Sequence, residues 1–166
     1  MRSRGVRGYF LDTCVLSDWY KKDERILARV GALPNVPLWI SVAAWGEIEF
    51  GLRTALPSKR DYVEEFKHFV SDIGPAREIS QHTVPCYGQL RALLFEKFAP
   101  KAKRRKKLRP EQLVDPVTSL ELGIQENDLW MAAQAMEFNF VFATGDKMHR
   151  ISDVARDLVQ IENWLE

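Results

Sequence analysis

Asp12, Glu47, Asp128 and Asp146 each stand where an apolar segment meets a helix or a turn, and four carboxylates so placed are candidates for one metal site. Asp12 ends the run Tyr9-Phe10-Leu11, and Glu47 lies in the helix-like stretch from Ser41 to Gly51. Asp128 follows Asn127 at a helix start, and Asp146 closes the segment that runs from Asn139 through Thr144 and Gly145. A protein keeps carboxylates at the edge of its core only where something offsets their lost hydration, and a hard divalent cation does so. Carboxylates held close together repel, which raises some of their pKa values unless a cation lies among them. Mg²⁺ or Mn²⁺ removes that penalty. Such an ion, or a pair of them, activates water and stabilises the leaving oxygen in phosphodiester hydrolysis. The hydroxyls of Thr13 and Thr144 suit the orientation of those carboxylates or of water.

Each of these residues also has a plain structural use. Asp12 or Thr13 can cap a helix, Asp128 can complement a helix dipole with Asn127 as its cap, and Asp146 can serve a turn. Glu47 has small neighbours on its own helix face, Ala43 and Gly51, so that face can approach other backbone and turn the carboxylate inward. What favours the chemical reading is the joint placement of the four.

The elements that must position them follow from hydrophobic period and punctuation. Tyr9 to Leu11 and Leu38 to Ile40 read as short buried strands, each followed at once by a helix, Cys14 to Tyr20 and, with Ser41 as N-cap, a segment reaching about Thr54. Further helices are expected over Asp23 to Val30, Asp61 to Val70, Val84 to Phe98 and Asp128 to Phe138. Arg77 to Ile79, Phe140 to Thr144 and Leu158 to Ile161 are the remaining strand candidates, and residues 99–125, with Pro100, Pro110 and Pro116, read as a loop holding one short helix. Strands alternating with helices predict an α/β domain with a mainly parallel sheet covered on both faces. Such sheets gather ligand sites outside the carboxyl ends of their strands, where Asp12 and Asp146 would emerge.

At 166 residues the chain is long enough for one domain with a substantial core and short for two. The net charge of +1 conceals an uneven distribution. Seven of the 24 Lys and Arg residues fall between Lys101 and Arg109, which leaves 17 against 23 acids, about −6, on the rest. The chain is an acidic body with one basic segment, and a ligand responds to that local field more than to the total. Two cysteines, Cys14 and Cys86, each beside apolar residues, suit small buried thiols in a reducing compartment. Zinc spacing such as CxxC or HxxxH is absent. The apolar stretch near the N-terminus is broken by Asp12 and is too short for a signal peptide or a membrane span, so a cytoplasmic protein is expected.

The blocks resemble those of the PIN-domain ribonucleases, and within them the VapC toxins of type II toxin–antitoxin pairs. Tyr9-Phe-Leu-Asp-Thr-Cys-Val-Leu-Ser-Asp18 looks like the opening strand and acid of that family, and Ile40 to Gly51 like its second acidic motif. Asn127-Asp-Leu-Trp-Met-Ala-Ala-Gln-Ala135 is similar to the third block, and Phe142-Ala-Thr-Gly-Asp146 followed by Ile161-Glu-Asn-Trp164 to the family's end. The resemblance implies a PIN-like α/β/α sandwich over residues 1–166. It implies a Mg²⁺- or Mn²⁺-dependent endoribonuclease with Asp12, Glu47, Asp128 and Asp146 as metal-binding acids and Thr13, Asn127 and Thr144 in support. It also implies a homodimer neutralised by a small VapB-like antitoxin. One departure stands out: the family joins its fifth helix to the Asn-Asp block by a short loop, whereas this chain carries a basic, Pro-containing insertion at about 99–122.

Lys101, Lys103, Arg104, Arg105, Lys106, Lys107 and Arg109 in that insertion suit binding of RNA phosphates, with a solvated loop as the alternative. Of the five tryptophans, Trp19, close after Asp12, is the one placed to stack on a base; His68, His82 and His149 form no catalytic pair. A haloacid-dehalogenase-like phosphoryl transfer from Asp12 is disfavoured, because Cys14 stands where a second acid is needed. The remaining alternative is a non-catalytic RNA-binding or interaction module with a vestigial acidic site.

Overall fold

Apolar runs too short to be stable alone pair into one sheet in the computed structural model, which describes residues 7–146 and 148–166, with backbone alone at 103–105. The strands are β1 (Tyr9–Leu11), β2 (Leu38–Ile40), β3 (Val141–Thr144) and β4 (Gln160–Asn163), in the order β2-β1-β3-β4 with every pairing parallel. β1 and β3 lie in the middle and are wholly buried, which is why they read as unbroken apolar runs. The register sets Leu11 opposite Ile40 and Ala143, so Asp12, Ser41 and Thr144 all emerge at one edge.

Seven helices make the connections: α1 (Thr13–Tyr20) and α2 (Glu24–Gly31) between β1 and β2, α3 (Val42–Thr54), α4 (Arg60–Ile73), α5 (Thr83–Phe98) and α6 (Glu126–Phe138) between β2 and β3, and α7 (His149–Ala155) before β4. Helices α1 to α4 pack on one another, as do α5 to α7, and the sheet lies between these two groups. Two strand-to-helix junctions are capped by the first polar residue past the strand. Asp12 Oδ1 accepts from Thr13 N at 2.7 Å, and Ser41 Oγ accepts from Ala43 N at 3.0 Å. Among the described residues no helix is long and apolar enough to cross a membrane.

The expected α/β architecture with a parallel sheet is present, with two local differences. Arg77 to Ile79 is no strand: Arg77 alone bridges to Ser41, exchanging backbone bonds with Val42 and Ile40. The ladder stops there because the Gln134 side-chain amide takes the Arg77 and Glu78 carbonyls at 3.1 and 3.0 Å. The last strand begins at Gln160, two residues later than its apolar pattern suggests, because the Leu158 and Val159 amides are spent on Ala155 O at the end of α7. Helix α7 begins at His149, inside the segment from Lys147 to Ile151 that Asp146 could cap; Lys147 itself lies outside the described residues.

Residues 99–122 are a packed segment carrying two 3₁₀ turns, Lys101–Lys106 and Pro110–Gln112, where one short helix was expected. Ala99, Leu113 and Leu122 are buried, and Val114 bridges to Glu121 in a small antiparallel loop. Asp115 organises that loop. Its Oδ1 accepts from Val117 N at 2.7 Å and Thr118 N at 3.2 Å, while Oδ2 takes the Arg150 guanidinium of α7. These bonds hold its pKa below the usual carboxylate range, the two backbone amides most of all. A depressed folded-state pKa adds stability that is present above the unfolded value of about 3.9 and is lost as pH falls through the folded one. Asp115→Ala is therefore expected to lower the melting temperature at neutral pH and to speed tryptic cleavage within 101–109. Equal digestion rates for wild type and variant would show that Asp115 does not pin the insertion.

Candidate metal centre

The edge shared by β1 and β3 carries the acids. Asp12 follows β1 directly and is only 4% exposed; its Oδ2 accepts from Thr144 Oγ1 at 2.8 Å, a bond that ties the end of β1 to the end of β3. The same Thr144 oxygen accepts from Asp146 N at 3.0 Å, so one hydroxyl orients Asp12 and the loop bearing Asp146 together. Cys14, one residue into the first turn of α1, donates its thiol to Asp12 Oδ2 at 3.1 Å and accepts from Gly145 N at 3.1 Å. Gly145 leaves room for Leu165, since a Cβ there would lie 2.5 Å from Leu165 Cδ1.

Glu47 reaches the edge from α3. One oxygen accepts from Thr13 Oγ1 and the other from Asn127 Nδ2, the latter at 3.1 Å. Its direction thus comes from polar partners on α1 and α6. A Cβ on Gly51 would meet open space, so the small-residue face expected to steer Glu47 makes no close approach there. Asp128 is the third residue of α6 and reaches back to Gln125 N at 2.7 Å, while Asn127, expected as that helix's cap, bonds Glu47. The four acids come from four separate pieces of chain and converge on one edge.

Asp12 and Asp128 are buried, Glu47 is half-buried and Asp146 is exposed, and the first two show the electrostatics of crowded, poorly hydrated carboxylates. Burial pushes Asp12 up, with Glu47 adding repulsion against the relief from Cys14, Thr144 and Thr13. Asp128, 8% exposed, is pushed up to about 7, first by burial and then by the charges of Asp12, Glu47 and Asp146, with the Gln125 amide opposing. Ligand atoms of Asp12, Cys14 and Asp146 lie within 4.8 Å of one another, a group that does not include Glu47 or Asp128. Cys14 is a poor ligand within it. Its pKa is pushed up to about 12 by burial and by Asp12, so the sulfur stays a protonated donor and the carboxylates are what a cation can use. A donor set of carboxylate and hydroxyl oxygens suits Mg²⁺ or Mn²⁺ and disfavours softer metals.

Sequence reasoning had read Cys14 as a packed thiol and missed its place beside Asp12; a thiol two residues past an N-cap acid was the available signal. Trp19 is half-buried against the core, edge-on to Phe69 with ring centroids 5.4 Å apart. Of the basic segment, Lys101, Lys106, Lys107 and Arg109 are exposed, and the side chains of Lys103, Arg104 and Arg105 lie outside the described ones. Lys107 borders an apolar cleft along α5, with Arg91 and Phe95, that shares no residue with the acids.

A sheet of order β2-β1-β3-β4, all parallel, between two helical layers is the α/β/α sandwich of PIN-like proteins. Solved structures share it. A chain of VapBC2 from Rickettsia felis, solved bound to a DNA fragment from their promoter, matches with a TM-score of 0.65 at 20% identity, over 94% of this chain and 98% of that one. VapBC-1 from nontypeable Haemophilus influenzae matches with a TM-score of 0.64 at 20% identity, over 95% and 98%. VapBC-5 from Mycobacterium tuberculosis, a member of the VapBC family of toxin–antitoxin systems, matches at 0.60 and 19%, over 94% and 96%. At such identities the likeness is one of fold. No protein-family model and no curated protein matches the sequence.

The raised Asp128 pKa fixes the sign of a pH effect in metal-free protein. A carboxyl titrating near 7 when folded and near 3.9 when unfolded contributes most below about pH 4, and its contribution falls by up to roughly 1.4 kcal/mol per pH unit as pH rises to 7. In EDTA, Asp128→Asn should therefore gain stability relative to wild type as pH rises from about 4 to about 7, and the gap should level off above that. Denaturant melts across that range measure the difference; a gap independent of pH would show that Asp128 is not pushed up.

Proposed function

We propose that this protein is a metal-dependent endoribonuclease that hydrolyses RNA phosphodiester bonds, and that it serves as the toxin of a toxin–antitoxin pair. The observation that carries the enzymatic half is the convergence of Asp12, Glu47, Asp128 and Asp146 at the carboxyl edge of β1 and β3, two of them buried and pushed up in pKa. The fold shared with chains of VapBC complexes supports the toxin half. It likewise supports a VapB-like antitoxin as partner, a homodimer and a cytoplasmic site of action.

The four acids are the proposed ligands of Mg²⁺ or Mn²⁺. When bound, such an ion lowers the pKa of water and neutralises charge that develops on the phosphate oxygens. The chain's own residues prepare the site for it. Thr144 and Cys14 hold Asp12 in one rotamer, Thr13 and Asn127 do the same for Glu47, and the Gln125 amide directs Asp128. Burial keeps bulk water from competing for the carboxylates. Within the insertion, Lys101, Lys106, Lys107 and Arg109 are proposed to contact RNA phosphates, since the rest of the chain is acidic.

The test is cleavage of a mixed RNA pool by wild type and by a variant carrying Asp12→Asn with Asp128→Asn, the cuts mapped by sequencing. Wild type should cut, lose turnover in EDTA and regain it with Mg²⁺ or Mn²⁺, while the variant should be inactive. Equal cleavage by the two proteins would sink the mechanism, and RNA binding indifferent to metal with no cleavage would mark a binding module instead.

A second expectation concerns Thr144. Thr144→Val keeps the shape of the side chain and removes the hydroxyl shared by Asp12 and Asp146. Partners behind metal ligands are typically worth 10–100-fold in metal affinity or activity. Titration with Mn²⁺ should show a loss of about that size, and unchanged affinity would exclude a positioning role.

A further inference from the structure

Thr144 and Asp146 border the acidic centre and also form one wall of a cleft of about 400 Å³. His149, Ser152 and Arg156, on or next to α7, line a second wall, and Asn163 at the end of β4 a third. Clefts that hold small ligands span roughly 300–1,000 Å³, so the space is adequate for one compact molecule. It opens where parallel α/β sheets gather ligands, outside the carboxyl ends of β3 and β4.

The charges in this cleft are not all committed to the fold. Arg150 of α7 is held by Asp115 and Asp153, whereas Arg156 is exposed and makes no ion pair among the described residues. Asn163 uses its carbonyl oxygen to accept from Leu165 N at 2.9 Å, which leaves the amide NH₂ as a donor. His149 is an exposed aromatic ring beside them.

We infer that this cleft is a nucleotide subsite, which takes one nucleotide of the RNA strand beside the bond to be cut, with Arg156 on its phosphate and His149 against its base. The inference rests on the ribonuclease reading above. A cluster of carboxylates repels the phosphodiester backbone on either side of it. A guanidinium next to Asp146 offsets that repulsion and offers a planar fork of donors that fits phosphate. Asp153 and Glu166 also line the cleft, and they decide its occupant. Mixed charge suits a run of phosphates badly. It suits a single nucleotide well, because the phosphate meets the cation and the neutral donor edge of the base meets the carboxylates.

Arg156→Gln and His149→Ala change exposed side chains, and thermal melts confirm that they fold. Binding is read by fluorescence anisotropy with a short, fluorescein-labelled single-stranded RNA of random sequence in EDTA, so that no cleavage is needed. Arg156→Gln should weaken binding roughly tenfold, the size of one charge-assisted contact, and lower the slope of affinity against salt by about one. Lys59→Gln, an equal charge change before α4, should do neither. In the Mg²⁺-supplemented pool assay, His149→Ala should alter the base preferred next to the cut. If wild type cleaves RNA while Arg156→Gln binds and cuts as wild type does, the subsite is overturned and the nuclease stands. If wild type does not cleave and Arg156→Gln still loses affinity, the nuclease reading falls and with it the position beside a cut, and only a nucleotide-binding cleft stands.

Discussion

The hydrogen bond from Thr144 to Asp12 joins the carboxyl ends of the two central strands, and the arrangement of the whole acidic edge depends on it. Asp12 is almost without solvent, so its second oxygen must find donors inside the protein, and it finds two, the Thr144 hydroxyl and the Cys14 thiol. The Thr144 hydroxyl donates to Asp12 and accepts from the Asp146 amide, so a single side chain sets the mutual distance of two acids that are far apart in sequence. Parallel pairing in register makes this possible, because Leu11 and Ala143 end level with one another and project their successors to the same side. Local capping and long-range pairing thus agree on one geometry, as consistent folds require.

Much of this was legible in the sequence, for identifiable reasons. β1 and β3 are central and buried on both faces, so Tyr9 to Leu11 and Val141 to Thr144 present unbroken apolar runs. Helix α4 announces itself by period, and α3 by the type of its N-cap, Ser41. The misreadings occur where tertiary contacts override local pattern. β4, Gln-Ile-Glu-Asn, is an edge strand with a polar composition, and its start is set by where α7 stops using amides. Arg77 to Ile79 reads as a strand, yet Gln134 from α6 claims the Arg77 and Glu78 carbonyls, and no period in either segment shows that. The same holds at the site: the identity of the acids was readable, whereas the partners that aim Glu47, Thr13 and Asn127, lie on different helices.

The insertion shows how a segment poor in regular structure can still be ordered. Turns, the Val114–Glu121 bridge and Asp115 take up its backbone groups, and Ala99, Leu113 and Leu122 reach the core while Val117 and Leu120 stay exposed. Two of its acids also act at helix positions outside it. Asp115 binds Arg150 of α7, and Glu111 accepts the first amide of α6, Glu126 N, at 2.7 Å, close to where Asn127 and Asp128 begin their work. Carboxylates at a helix N-terminus are favourable for the exposed amides and the dipole. Residues 99–122 therefore buttress the two helices that carry Asp128 and flank Asp146.

The crowded carboxylates also make protons and cations competitors. A carboxyl that titrates near 7 is half protonated where most proteins work, so occupying it with a divalent ion displaces a proton. Burial sets that competition: the desolvation that raises Asp128 in the metal-free protein is the same term that a cation offsets. Cys14 sharpens the contrast, because an adjacent thiolate would add a soft ligand and shift the preference away from hard ions. Burial first, and then the charge of Asp12, oppose that ionisation, and the thiol remains a donor to the oxygen it faces.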